Sequence, residues 1–145
     1  MKKNILMILV VVIGLNSCIN QNKKENYGSI NGKLCYPSDG VPGLTIFIKN
    51  IKTNKIIKTT TKSCFDNCSY RVNNIPIGEY IVYACTTQPI YDNVHLFGGY
   101  FKECFSSSMD KPHKPSIFSV KSNITTENID ICDFYGNLII PKVIF

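Results

Sequence analysis

Apolar and polar residues alternate with a period of two through much of the chain, and a strand is the element that period describes. Leu44, Ile46 and Ile48 alternate with Thr45, Phe47 and Lys49, so the pattern predicts a strand over 44–50 with one face buried. Tyr27 to Tyr36 reads as an earlier strand, with Ile30, Leu34 and Tyr36 on one face and Lys33 and Cys35 on the other, stopped by Pro37-Ser38-Asp39-Gly40. Lys55 to Lys62 is a threonine-rich strand after the polar turn Lys52-Thr53-Asn54-Lys55, and it suits a sheet edge. Tyr70 to Asn73 and Glu79 to Thr86 form the central pair. Between them, Pro76 fixes φ and Gly78 accepts a positive φ, so Ile75-Pro76-Ile77-Gly78 turns the chain between strands that face the same core. Ser116 to Lys121 and Glu127 to Tyr135 read as the last two strands, joined by a polar turn over 122–126, and the apolar tail 138–145 packs or adds an edge. Helical spacing is absent outside the N-terminus.

The N-terminus has a different texture. Lys2 and Lys3 precede the apolar run Ile5 to Ile13, the arrangement of a secretory signal, and the run is short of the roughly 20 apolar residues a spanning helix needs. Leu15-Asn16-Ser17-Cys18 resembles the bacterial lipobox. That resemblance implies cleavage before Cys18, diacylglycerol on its thiol and acylation of its amine, with attachment through several acyl chains. Residues 1–17 are therefore read as a lipoprotein signal peptide, 18–26 as a polar tether and 27–145 as one domain. Ile19 and Asn20 lack the aspartate that retains many lipoproteins at the inner membrane, which favours the outer one. The expected address is the cell membrane or outer membrane, facing periplasm or cell surface, with the membrane itself as a partner through the lipid.

Charge adds little to this picture. The formal charge is +6; of 16 basic side chains, loss of Lys2 and Lys3 leaves 14 against 10 acidic ones, or +4. The excess is dispersed and argues against a nucleic-acid partner. The cysteines add more. Setting Cys18 aside from the seven leaves Cys35, Cys64, Cys68, Cys85, Cys104 and Cys132, an even set suited to disulfides in an exported protein. Six cysteines allow 15 connectivities; the expected set is Cys64 with Cys68, Cys35 with Cys132, and Cys85 with Cys104. Paired Cys-x-x-Cys spacing is missing, so neither a metal nor a cofactor is expected.

The stretch 88–115 is a long connection with little periodicity, and long ordered loops are disproportionately functional. Its aromatic residues Tyr91, Phe97, Tyr100, Phe101 and Phe105 are the candidate binding surface, for a protein or carbohydrate ligand. The competing reading is that these rings close the open end of the fold.

Three separated pieces, Gly32 to Lys55, the corner Tyr70 to Ala84 and Ile129 to Tyr135, together resemble the carboxypeptidase regulatory-like, or transthyretin-like, domain. The corner Ile75-Pro76-Ile77-Gly78-Glu79-Tyr80 matches that family's turn, with Ile77 where a second proline is common. The resemblance implies an all-β fold, a seven-stranded antiparallel sandwich of immunoglobulin and transthyretin-like shape behind the lipoprotein signal peptide. Transthyretin-like hydrolases carry a first-strand histidine and a closing Tyr-Arg-Gly-Ser, and this chain has neither. His-Glu-x-x-His, Gly-x-Ser-x-Gly and a phosphate loop are also missing. In Cna-type adhesin domains of similar topology an isopeptide bond joins lysine to Asn or Asp beside a buried acid; Lys33, Asp130 or Asp133, and Glu79 would take those places. The expectation is a non-enzymatic, lipid-anchored binding or structural module of the envelope. The alternative is an enzyme or enzyme inhibitor that uses 88–115, with His95, Asp92, Glu103 and His113 as its titratable groups.

Overall fold

The computed structural model describes residues 26–90, 94–102, 114–132 and 134. The signal, Cys18, the tether before Asn26 and the tail lie outside them. The described residues are all-β, with eight strands and no helix. The strands are β1 (Tyr27–Lys33), β2 (Leu44–Asn50), β3 (Ile56–Thr60), β4 (Ser69–Pro76), β5 (Gly78–Thr86), β6 (Phe97–Gly99), β7 (Phe118–Val120) and β8 (Thr125–Thr126). They form a three-stranded sheet in the order β4-β1-β8 and a five-stranded sheet in the order β3-β2-β5-β6, with β7 also paired to β5.

The alternation in β2 does what its period requires. Leu44, Ile46 and Ile48 are fully buried and, with Tyr80, Val82 and Ala84 of β5, meet Ile30, Tyr70 and Ile75 of the smaller sheet in one shared core. Each such aliphatic side chain contributes roughly 1.5–3 kcal/mol by leaving water. β3 is the edge strand expected of its threonines. The opposite face of the large sheet carries a second cluster, Phe47, Tyr83 and Cys85, in which the Phe47 and Tyr83 rings stack at 5.2 Å and the Lys58 ammonium lies 5.3 Å from the Phe47 ring.

The Pro76–Gly78 corner carries the chain from one sheet to the other, since β4 belongs to the small sheet and β5 to the large one. Two bonds hold it: Tyr80 donates its hydroxyl to the Pro76 carbonyl at 2.7 Å, and the Ile77 N–H donates to Asn26 O at 2.9 Å. A Cβ on Gly78 would come 2.8 Å from Asn50 Nδ2. That amide cannot swing aside cheaply, because Asn50 Oδ1 already accepts from the N–H groups of Lys52 and Thr53.

Departures from expectation concentrate after β5. Gly98 and Gly99 belong to β6, which pairs with β5 through Tyr83 and Ala84, so the long connection contains a strand. The expected all-antiparallel arrangement also fails along one seam: β8, inside the expected polar turn, runs parallel to β1, and Ile131 bridges Leu34 in the same sense. The described part of the last segment, 127–132, is no regular strand. Ile129 and Ile131 donate N–H bonds to Asn31 and Lys33 of β1 while Cys132 exchanges two bonds with Gly99 of β6. One short segment therefore joins both sheets.

Candidate functional site

Two cysteine pairs fasten the frame. Cys35–Cys132 joins the end of β1 to this closing segment, and Cys64–Cys68 closes a short loop before β4. The third expected bridge, Cys85–Cys104, requires correction: Cys85 is a free thiol, only 2 % exposed. Strand alternation puts it beside Phe47 and Tyr83 on the second face of the large sheet, in an apolar setting. Cys104 lies outside the described residues.

The Cys64–Cys68 loop is the most conspicuous surface feature. Cys64 exchanges backbone bonds of 2.7 and 2.9 Å with Val41, and the Leu34 N–H donates to Cys68 O at 2.8 Å, so both ends of the loop are tied to the frame. Asn67 takes a left-handed φ of 47°, which its short polar side chain tolerates. Between these anchors Phe65 is 76 % exposed, and its ring lies over Gly40, where a Cβ would come within 2.9 Å. A largely apolar cleft of about 790 Å³ adjoins it, walled by Tyr36, Pro42, Phe65, Ile90 and Leu96. Ile90 and Leu96 come from the long connection, so that stretch does border a cleft.

The aromatic residues nominated from sequence do not share one face. Phe97 is half-buried in the Phe47 cluster, whereas Tyr100 packs on the main core with its ring edge-on to Phe118 at 6.1 Å. Phe101 is half-buried and its ring approaches Gly99. Tyr91 and Phe105 lie outside the described residues. Of the four titratable groups in the enzyme alternative, His95 alone is described; its Nδ1–H donates to the Thr86 carbonyl at 2.6 Å. Asp92, Glu103 and His113 lie outside. For the isopeptide arrangement, Lys33 and Glu79 are both exposed and sit on different sheets, so Glu79 is not a buried acid. Asp130 accepts the Lys33 backbone N–H at 2.7 Å, and Asp133 is outside the described residues. Among the described residues no group of three His, Cys, Asp or Glu side chains is arranged to hold a metal ion.

Burial governs the electrostatics. Tyr70 donates its hydroxyl to the Ile129 carbonyl at 2.6 Å, and desolvation, then the Asp130 carboxylate and then Tyr100, pushes its phenol well above the ordinary 10.0. Burial likewise raises Tyr83 and Tyr100, and raises Cys85 above 9.0. A group whose folded pKa is raised stabilises fully below its unfolded pKa and loses that contribution as pH climbs through the folded value. The contribution of these groups to stability should therefore be constant below the thiol range at 9.0, and the denaturation midpoint should fall above 10.0. Tyr70→Phe should reduce that fall; an identical alkaline profile in the variant would exclude Tyr70 as a source.

Sequence reasoning missed Phe65, although an aromatic between cysteines four apart in a polar loop was a usable signal. It also missed a polar cleft of about 690 Å³ at the opposite end of β1, around Tyr27, Arg71 and Asn73. Backbone pairing builds that cleft, and no local pattern announces it.

These features define a disulfide-fastened, two-sheet β-protein with open clefts at both ends of its first strand. No family model and no curated protein matches the chain. Among solved structures, a leucine-rich repeat protein from Bacteroides thetaiotaomicron VPI-5482 is similar at 13 % identity with a TM-score of 0.39, over 79 % of this chain and 15 % of that one. A likeness at that level carries no argument about fold or function.

Proposed function

We propose that the chain is a lipid-anchored protein of the cell envelope whose domain, a carboxypeptidase regulatory-like (transthyretin-like) sandwich, acts as a non-enzymatic binding module. The lipobox-like Leu15-Asn16-Ser17-Cys18 supports the anchor, and the corner Ile75 to Tyr80 between two sheets with a common core supports the architecture. The observation that carries the binding reading is Phe65, 76 % exposed on a loop closed by a disulfide and beside an apolar cleft. A phenylalanine on a backbone fixed at both ends of its loop has only two side-chain torsions to immobilise when a partner covers it, and large aromatic rings dominate protein–protein contacts. The partner is a second envelope protein.

A photoreactive phenylalanine analogue at position 65 of the full chain, expressed in cells, should give a discrete cross-linked product. The same analogue at Thr60, exposed on edge strand β3, should not. No product at 65, or the same product from both positions, would remove Phe65 as the contact surface.

A further inference from the structure

The polar cleft at the start of β1 supports an inference independent of the Phe65 surface and of the lipid anchor. Its floor is the outer face of the small sheet. There Arg71 of β4 donates from Nε to Asn73 Oδ1 at 3.1 Å and from Nη2 to Thr125 Oγ1 at 3.0 Å, and the Ser29 and Thr125 hydroxyls are 2.7 Å apart. Its walls are an irregular stretch of β4 on one side and the turn after β7 on the other. Asn74 lies in the first and Asn123 in the second, each with a left-handed φ of 57°, and both line the concavity. Asn26, where the chain enters the domain, adds a third amide, and Tyr27 adds an aromatic ring that is 40 % exposed.

This donor set selects its ligand. Carboxamides and hydroxyls each donate and accept, the requirement for reading alcohol groups. Among the described residues Arg71 is the only charged one lining the cleft. Its Nε and one Nη2 proton already face neutral oxygens of the protein, so the side-on edge that grips a carboxylate or phosphate is occupied and the Nη1 side is left to donate. The guanidinium is instead a fixed polar plate. Tyr27 and the 53 % exposed Ile124 give the rim an apolar side, suited to the C–H face of a ring. The volume, about 690 Å³, falls in the range of small-molecule sites. We infer that this cleft binds a neutral saccharide, with the Asn amides and Arg71 on its hydroxyls and Tyr27 against a sugar face.

The test is calorimetric titration of the full chain, purified in lauryldimethylamine oxide so that no sugar detergent competes, with maltohexaose, cellohexaose, xylohexaose and mannohexaose at millimolar concentration. At least one should bind. Tyr27→Ala and the double variant Asn74→Gly/Asn123→Gly should each weaken it at least tenfold; glycine keeps the left-handed backbone and removes only the amide. Unchanged denaturation midpoints in these variants would show that the loss is not unfolding; should either midpoint fall, the exposed Asn73→Ala variant must show the same tenfold loss. Failure of every saccharide to bind, or binding that all the variants leave intact, overturns the inference. So does a site that takes sodium sulfate with a strong salt dependence and no sugar, since that is an anion site built on Arg71.

Discussion

Replacing Cys35 and Cys132 together by serine should cost about 4.7 kcal/mol, because the bridge spans 97 residues and a cross-link of that span removes a large part of the unfolded chain's freedom. The same arithmetic gives about 2 kcal/mol for Cys64–Cys68, whose cysteines are four apart. Domains of ordinary stability hold roughly 5–15 kcal/mol in total, so the long bridge decides whether much of the population stays folded. Its position explains why. Cys132 sits on the one segment that pairs with both sheets, and Cys35 follows the strand at the centre of the small sheet. The check is urea denaturation of the two double variants. Equal losses, or a greater loss from the short loop, would mean that the unfolded chain is not what the long bridge restrains.

Gly32→Ala should be strongly damaging, at about 3 kcal/mol, the upper end for overpacking. A Cβ there would overlap the carbonyl of Ile129, and that carbonyl belongs to a backbone with no slack. Ile129 and Ile131 donate to β1 at 3.0 and 2.9 Å on either side, and Asp130 holds the Lys33 N–H at 2.7 Å. The added methyl can be fitted only by parting the seam between β1 and the closing segment, the seam that the long disulfide spans. Gly40→Ala is the control. Its Cβ would meet the Phe65 ring, an exposed side chain free to rotate away, so the change should stay within about 0.5 kcal/mol. Comparable losses at the two positions in thermal denaturation would show that the closing segment does not lie against Gly32.

Much of the frame was legible because it follows local rules. Leu44, Ile46 and Ile48 announce their buried face by period, Thr59 to Thr61 mark an edge, and Pro76 with Gly78 mark the corner. What was not legible depends on partners distant in the chain. β6 is Phe97-Gly98-Gly99, and glycines in a strand carry no side-chain pattern; Gly98 is small because a Cβ would meet the Phe134 ring at 2.5 Å. β8 is two threonines whose strand character exists only against Ser29 and Ile30. The pairings Cys35–Cys132 and Cys64–Cys68 match the expected ones, while Cys85 was assigned by even counting when its alternation with Ala84 already turned it away from the core. Phe97 and Tyr100 show the limit of composition: both are aromatic and near in sequence, yet one packs on each face of the large sheet.

The proposed lipid anchor at Cys18 and the disulfides beyond it can be tested together. Mass spectrometry of the full protein extracted from its native membrane, followed by mapping of unreduced peptides, tests both parts at once. The account predicts a chain that begins at Cys18 and carries acyl groups, with Cys35 linked to Cys132, Cys64 linked to Cys68, and Cys85 alkylated only after unfolding. An unacylated chain that retains Met1, with Cys35, Cys64, Cys68 and Cys132 all present as free thiols, would contradict it.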